Sequence, residues 1–146
     1  MMDVAKVIAD LHLQPLAGEG GMWAPIFNNG RSSAIYFLMQ RPDFSAWHRI
    51  PEQEMWIHVA GSPTALYTYE EGGACVKQTL DSSVMNFQAV VEPRRWMAAK
   101  PLGEWSLVIC ALTPAFTEME LASKAQVSSW AIKEFPESEI LGLIHD

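Results

Sequence analysis

Cysteine and concentrated positive charge are both scarce in this sequence of 146 residues, and each scarcity excludes a class of protein. The only cysteines, Cys75 and Cys110, have apolar neighbours and lack the paired spacing of a metal site. We therefore predict two buried free thiols and a reducing, cytoplasmic location.

Ten basic and seventeen acidic residues leave a formal charge of -7, and the densest basic spot is the pair Arg94-Arg95. Nucleic acids and anionic membranes require concentrated positive charge, so neither is an expected partner. The N-terminus lacks the apolar core of a signal peptide, and no apolar run approaches the roughly 20 residues that span a bilayer.

Apolar side chains are abundant, since hydrophobic residues make up 49% of the chain and include six tryptophans and six phenylalanines. A chain of this length buries roughly two thirds of its unfolded surface on folding. We therefore predict one globular domain over residues 1–146, with a substantial core.

The first segment has helical periodicity, because Val4, Val7, Ile8 and Leu11 fall on one helix face behind a possible cap at Asp3. After it, short apolar segments alternate with turn residues, which is typical of strands. We expect strands over residues 33–39, 44–49, 53–60, 64–69, 74–80, 84–91, 95–98 and 104–113. About eight short strands with frequent turns favour a jelly roll or barrel.

Helical periodicity returns towards the C-terminus. Residues 117–124 are predicted to form a short helix, and Pro136 fits the first position of a last helix. The predicted fold class is therefore mostly β, with an N-terminal helix and short C-terminal helices.

The segment 53–60 combines titratable and aromatic residues with a period of two. Glu54, Trp56 and His58 then share one strand face, as the wall of a polar pocket would require. The opposite face is wholly apolar and is expected to pack against a second layer. If His48 on the preceding strand lines the same cavity, it could converge with Glu54 and His58.

The spacing from His48 to Glu54 and then to Gly61 resembles the first motif of the cupins, which are small β-barrels. A closer resemblance is to a little-characterised family of small single-domain cupins. Five of that family's motifs occur here in order, over roughly residues 3–145. The matching residues are Glu19-Gly20-Gly21, Ser45-Ala46-Trp47-His48-Arg49, Glu54-Met55-Trp56 with Gly61, Pro93 with Trp96 and Ala99, and Trp105 with Cys110, Pro114 and Phe116.

The chain departs from the family's pattern at the pocket. Leu16 or Ala17 replaces a histidine, Met22 replaces a tyrosine, and Ala98 stands where this family has glutamine. Ala46 and Ala98 also occupy positions where many cupins place metal-binding histidines. The resemblance therefore implies a cupin double-stranded β-helix without implying its chemistry.

Three hypotheses for function remain open at this stage. The first is a barrel that binds a small polar or sugar-like molecule near Glu19, Trp56, His58, Tyr67 and Trp96. The second is an enzyme, either a metal-free isomerase or epimerase with His48 as base and Glu54 as its orienting carboxylate, or an oxygenase with a divalent metal on His48, Glu54 and His58. The third is a degenerate cupin that serves in assembly.

No cofactor is predicted beyond that optional metal. A homodimer is expected, because cupins often pair through strands and an exposed apolar edge at residues 34–39 would otherwise favour aggregation.

Overall fold

A computed structural model describes residues 2–145, and its strands form two antiparallel sheets. The helices are α1 (Val4–Asp10), α2 (Lys124–Ser129) and α3 (Glu137–Leu141), with a 3-10 turn at Ser82–Val84. The strands are β1 (Gln14–Pro15), β2 (Met22–Asn28), β3 (Ser33–Gln40), β4 (Ser45–Arg49), β5 (Gln53–Gly61), β6 (Thr64–Tyr69), β7 (Cys75–Leu80), β8 (Gln88–Val91), β9 (Trp96–Pro101), β10 (Trp105–Thr113) and β11 (Glu120–Leu121).

The first sheet has the order β1-β2-β3-β10-β5-β8, and the second has the order β11-β4-β9-β6-β7. Most neighbours are distant in sequence, which is the topology of a jelly roll. The predicted mostly β class, with short helices near both ends of the chain, is confirmed. None of the helices within residues 2–145 is long and apolar enough to cross a membrane.

The alternation predicted for β5 is correct, but one of its consequences is wrong. Glu54, Trp56 and His58 are buried on the inner face, as predicted. The opposite face is not covered by a second layer, because Met55 and Val59 are 37% and 42% exposed. The titratable face thus lies inside the barrel, while part of the apolar face meets solvent.

Helices cover parts of the two outer sheet faces. The helix α1, capped by the Asp3 carboxylate, packs with Val7 near Leu38 and Leu107 of the first sheet. The C-terminal helices pack on the second sheet, where Trp130 lies between Trp47 and Trp96 with ring centroids 5.3 Å from each.

Two predicted boundaries are wrong for local reasons. The strand expected over residues 84–91 begins only at Gln88, because the Asp81 side chain accepts from the Ser83 backbone N–H and caps the 3-10 turn. The helix expected over residues 117–124 is replaced by β11 and then α2. Glu120 pairs with Arg49 at 2.7 Å across the strands, and Ser123 caps α2.

The apolar strand expected at an exposed edge is internal. β3 pairs with β2 on one side and with β10 on the other, so its backbone N–H and C=O groups are used within the sheet. The reason offered for dimerisation from an exposed β3 edge therefore fails. The homodimer itself stays a prediction, and a mass measurement in solution would decide it.

Gly61 ends β5 in a conformation that a side chain would disturb. Its φ is +82°, and a Cβ atom there would lie 2.5 Å from the Trp105 carbonyl oxygen. We predict that Gly61→Ala lowers the free energy of unfolding by about 2 kcal/mol or more, through backbone strain and this contact together. Urea denaturation measures the loss.

Gly72→Ala is the matched control, because Gly72 has a φ of +83° with nothing within 4 Å of the added atom. This variant should lose only about 1 kcal/mol, from the left-handed backbone alone. Equal losses in the two variants would show that the Trp105 contact adds nothing.

Candidate functional site

A cavity of about 260 Å³ opens within the barrel and has one polar end. That end is formed by Glu19 from the turn after β1, His48 from β4 and Glu54 from β5. The rest of the lining is largely apolar and includes the aromatic side chains of Trp23, Phe27 and Phe116. Two distant strands and a turn are thus needed to assemble the polar end.

His48 is 3% exposed, and the backbone fixes its tautomer. Its Nδ1 lies 2.7 Å from the Ala46 carbonyl oxygen. Because a carbonyl oxygen can only accept, Nδ1 must carry a proton. In the neutral ring the lone pair is therefore on Nε2, which lies 3.7 Å from Glu19 Oε1. The ring can accept a hydrogen bond or a proton at this atom.

Glu19 is held in place from the adjoining motif. Its Oε2 accepts a hydrogen bond from the Ser45 hydroxyl at 2.7 Å, and Ser45 is fully buried. A backbone hydrogen bond connects the same turn and strand, since the Ala46 N–H donates to the Glu19 carbonyl oxygen at 2.8 Å. The Glu-Gly-Gly turn and the Ser-Ala-Trp-His-Arg strand therefore act together to position one carboxyl group.

Glu54 is a carboxyl group whose proton affinity is strongly altered. Trp56 donates its indole N–H to Glu54 Oε1 at 2.8 Å. Burial raises the pKa of Glu54 from 4.5 to about 7, with the charge of His48 opposing this rise and the charge of Glu19 adding to it. Near neutral pH this side chain can therefore exist in either protonation state.

His58 does not join this group, so the expected convergence of His48, Glu54 and His58 is wrong. Its Nδ1 accepts from the Ser82 backbone N–H at 2.9 Å, and its Nε2 donates to the Ser62 carbonyl oxygen at 2.8 Å. Both ring nitrogens thus fasten the far end of β5 to neighbouring turns. Although the His58 side chain points to the barrel interior like that of Glu54, it lies four residues further along β5.

Tyr67 and Trp96 also lie away from the cavity, in the core between the second sheet and the C-terminal helices. Tyr67 donates a hydrogen bond to Glu139. Trp96 is 1% exposed, with the Arg49 guanidinium 4.3 Å from its ring centroid. Their strand positions alternate with Leu66 and Met97, which face the barrel interior instead. Trp56 remains near the site as the hydrogen-bond donor to Glu54.

The side chains do not fit the metal that the cupin resemblance allows. No group of three His, Cys, Asp or Glu side chains within residues 2–145 is arranged to hold an ion. The methyl side chains of Ala46 and Ala98 supply no metal-binding atom, and Ala98 is buried in the outer core.

Sequence reasoning missed most of the apolar lining, including Leu16, Trp23, Phe27, Ile35 and Met119. The main reason is that β2 was not predicted, because Pro25 interrupts the strand signal. Pro25 is tolerated at an irregularity, where the register with β3 shifts between Pro25 and Phe27. The aromatic spacing of Trp23 and Phe27 was the available signal.

The two antiparallel sheets form a jelly-roll barrel, with His48 and Glu54 directed into its interior. The family described as Cupin superfamily (DUF985) matches residues 5–122, and the chain belongs to it. The resemblance inferred from the five sequence motifs is thereby confirmed. No curated protein matches the chain.

Solved structures agree with this fold. A Shewanella oneidensis protein is 24% identical with a TM-score of 0.85, and the match covers 99% of each chain. A hypothetical protein from Leishmania major is 20% identical with a TM-score of 0.80, over 89% of this chain and 93% of that one. An oxalate decarboxylase from Lactobacillus farciminis is 12% identical with a TM-score of 0.63, over 87% of this chain and 40% of its own. At these identities the likeness establishes the fold alone.

The raised pKa of Glu54 makes stability depend on pH. Below pH 4.5 the carboxyl is protonated in both states; between pH 4.5 and about 7 the unfolded chain releases the proton while the folded chain retains it. Stability contributed by this group is therefore lost as pH rises through that window. Glu54→Gln keeps an acceptor for Trp56 but cannot ionise. We predict that its free energy of unfolding, relative to that of the wild type, rises by about 3 kcal/mol from pH 4 to pH 8.

Urea denaturation across this pH range measures the difference. Glu71→Gln is the control, because Glu71 is an exposed carboxylate in the turn between β6 and β7. Its stability profile should run parallel to that of the wild type. A parallel profile for Glu54→Gln as well would contradict the raised pKa.

Proposed function

We propose that this protein binds a small organic molecule inside the barrel, with a polar group of the ligand at Glu19, His48 and Glu54. The observation that carries the proposal is a cavity whose polar side chains are at one end and whose apolar side chains form the remainder. A ligand with one polar end and an apolar body would match both parts.

The size of the cavity limits the ligand. Its volume of about 260 Å³ exceeds the roughly 150 Å³ that accommodates benzene. It is slightly smaller than the roughly 300–1,000 Å³ typical of pockets for drug-sized molecules. A molecule with one ring and a short polar substituent therefore fits best.

Buried polar atoms favour a bound partner over an apolar void. Glu19, His48 and Glu54 are 8%, 3% and 6% exposed. Each makes one protein hydrogen bond and keeps a second polar atom that a ligand could bind. These groups support binding over a role in assembly alone, for which a filled barrel would suffice.

Proton transfer is a second candidate, favoured by the fixed tautomer of His48. Its Nε2 can take a proton from a bound molecule, while protonated Glu54 can supply one nearby. A ligand with an exchangeable C–H beside a carbonyl should then exchange that hydrogen for deuterium in D2O. Exchange that survives in His48→Ala would contradict this role.

Benzyl alcohol is a suitable neutral probe for the cavity, because it joins one ring to one hydroxyl group. We predict that it binds at millimolar concentration or tighter, as detected by ligand-observed NMR. Leu16→Trp, which adds volume at a half-buried lining position, should weaken binding at least about tenfold, because the added ring occupies part of the cavity.

Val84→Trp is the control, since Val84 is 69% exposed and does not line the cavity. It should bind the probe as the wild type does. Equal weakening in both variants would contradict the proposal, and so would a wild-type chain that binds neither this probe nor a charged analogue of it.

A further inference from the structure

Three atoms at the polar end of the cavity lack a hydrogen-bond partner among residues 2–145. They are Glu19 Oε1, Glu54 Oε2 and His48 Nε2. Each side chain uses its other polar atom for a protein hydrogen bond, to Ser45, Trp56 or Ala46. The 3.7 Å between His48 Nε2 and Glu19 Oε1 is too long for a hydrogen bond.

All three atoms are acceptors when Glu54 is ionised, which is the state that a bound cation favours. Ionised carboxylate oxygens only accept, and the Ala46 carbonyl leaves the acceptor nitrogen of a neutral His48 at Nε2. Of the other polar lining side chains, Asn28 accepts from the Gly30 N–H and Ser33 accepts from the Phe116 N–H through their oxygen atoms. The three open atoms of Glu19, His48 and Glu54 therefore call for hydrogen-bond donors from a ligand.

The charges of the lining residues favour a cationic ligand over an anionic one. The lining residues include two carboxylic acids and one histidine, but no lysine or arginine. An anionic ligand would be placed against Glu19 and Glu54 without a compensating cation, which is costly in a buried site. The charge of Glu19 already contributes, after burial, to the raised pKa of Glu54, so a cation there would relieve the unfavourable field.

The apolar part of the cavity suits the body of an organic cation. Trp23, Phe27 and Phe116 present aromatic groups, and aromatic rings attract cations through their negative faces. Ile35 and Leu112 add aliphatic surface. An alkylammonium or arylalkylammonium ion would use both parts.

We propose that the ligand is a primary amine, bound as its ammonium ion at Glu19, Glu54 and His48. An ammonium group offers only N–H donors and no acceptor, whereas the open atoms at this end of the cavity are acceptors. This inference rests on the proposed function, because it specifies the chemical class of ligand for the same cavity.

Three one-ring probes of similar size and different charge test the proposal on the full chain. They are benzylamine, benzyl alcohol and benzoate, each titrated by calorimetry at neutral pH. Benzylamine should bind at least about tenfold more tightly than benzyl alcohol, because charge-assisted hydrogen bonds exceed neutral ones. Benzoate should bind most weakly. The NMR signal of the Trp23 indole N–H should shift on binding, because this side chain lines the cavity.

A variant pair separates the local charge from the overall charge. Glu19→Gln should weaken benzylamine about tenfold and so reduce its advantage over benzyl alcohol. Glu71→Gln removes the same charge from an exposed turn and should change neither affinity. Equal weakening by both variants would attribute the preference to the overall charge and overturn the site.

The outcomes also distinguish this inference from the proposed function. Binding of benzyl alcohol equal to or tighter than that of benzylamine would overturn the amine class and leave the cavity proposal intact. Binding of none of the three probes would overturn both. Because this comparison uses the wild-type chain, it does not depend on the folding of a variant.

Discussion

The hydrogen bond from the Trp56 indole to the Glu54 carboxyl, inside the barrel, is the interaction on which the site depends. Both side chains belong to β5, where a period of two directs them to the same buried face. Without this donor, Glu54 would be a buried carboxyl group with no protein partner among the described residues, which is costly. The bond instead holds one oxygen and leaves the other for the cavity.

The neighbouring polar groups follow the same arrangement. His48 uses Nδ1 for the Ala46 carbonyl, and Glu19 uses one oxygen for Ser45. Each group is thus oriented by one protein contact and retains one open atom, as expected of a preorganised binding site. The two sheets supply this orientation because β4 and β5 lie in different sheets and meet across the barrel interior.

The sequence predicted those parts that depend on local periodicity. Capping by Asp3, the alternation along β5 and the inward direction of His48 and Glu54 could all be inferred from spacing. The strand faces of Tyr67 and Trp96 could not, since β6 and β9 are buried on both faces almost throughout and give no clear alternation. The face of His58 was predicted correctly, but its partners were not. Periodicity shows which face of a strand a residue occupies, but it does not show which groups that residue contacts inside the barrel.

The tautomer of His48 tests the account most directly, because it decides whether the polar end offers three acceptors. The nitrogen chemical shifts of the imidazole can be measured by long-range proton–nitrogen NMR, at a pH where the ring is neutral. The account predicts a protonated Nδ1, bonded to the Ala46 carbonyl, and an unprotonated Nε2. A protonated Nε2 would place a donor at the polar end and contradict the account.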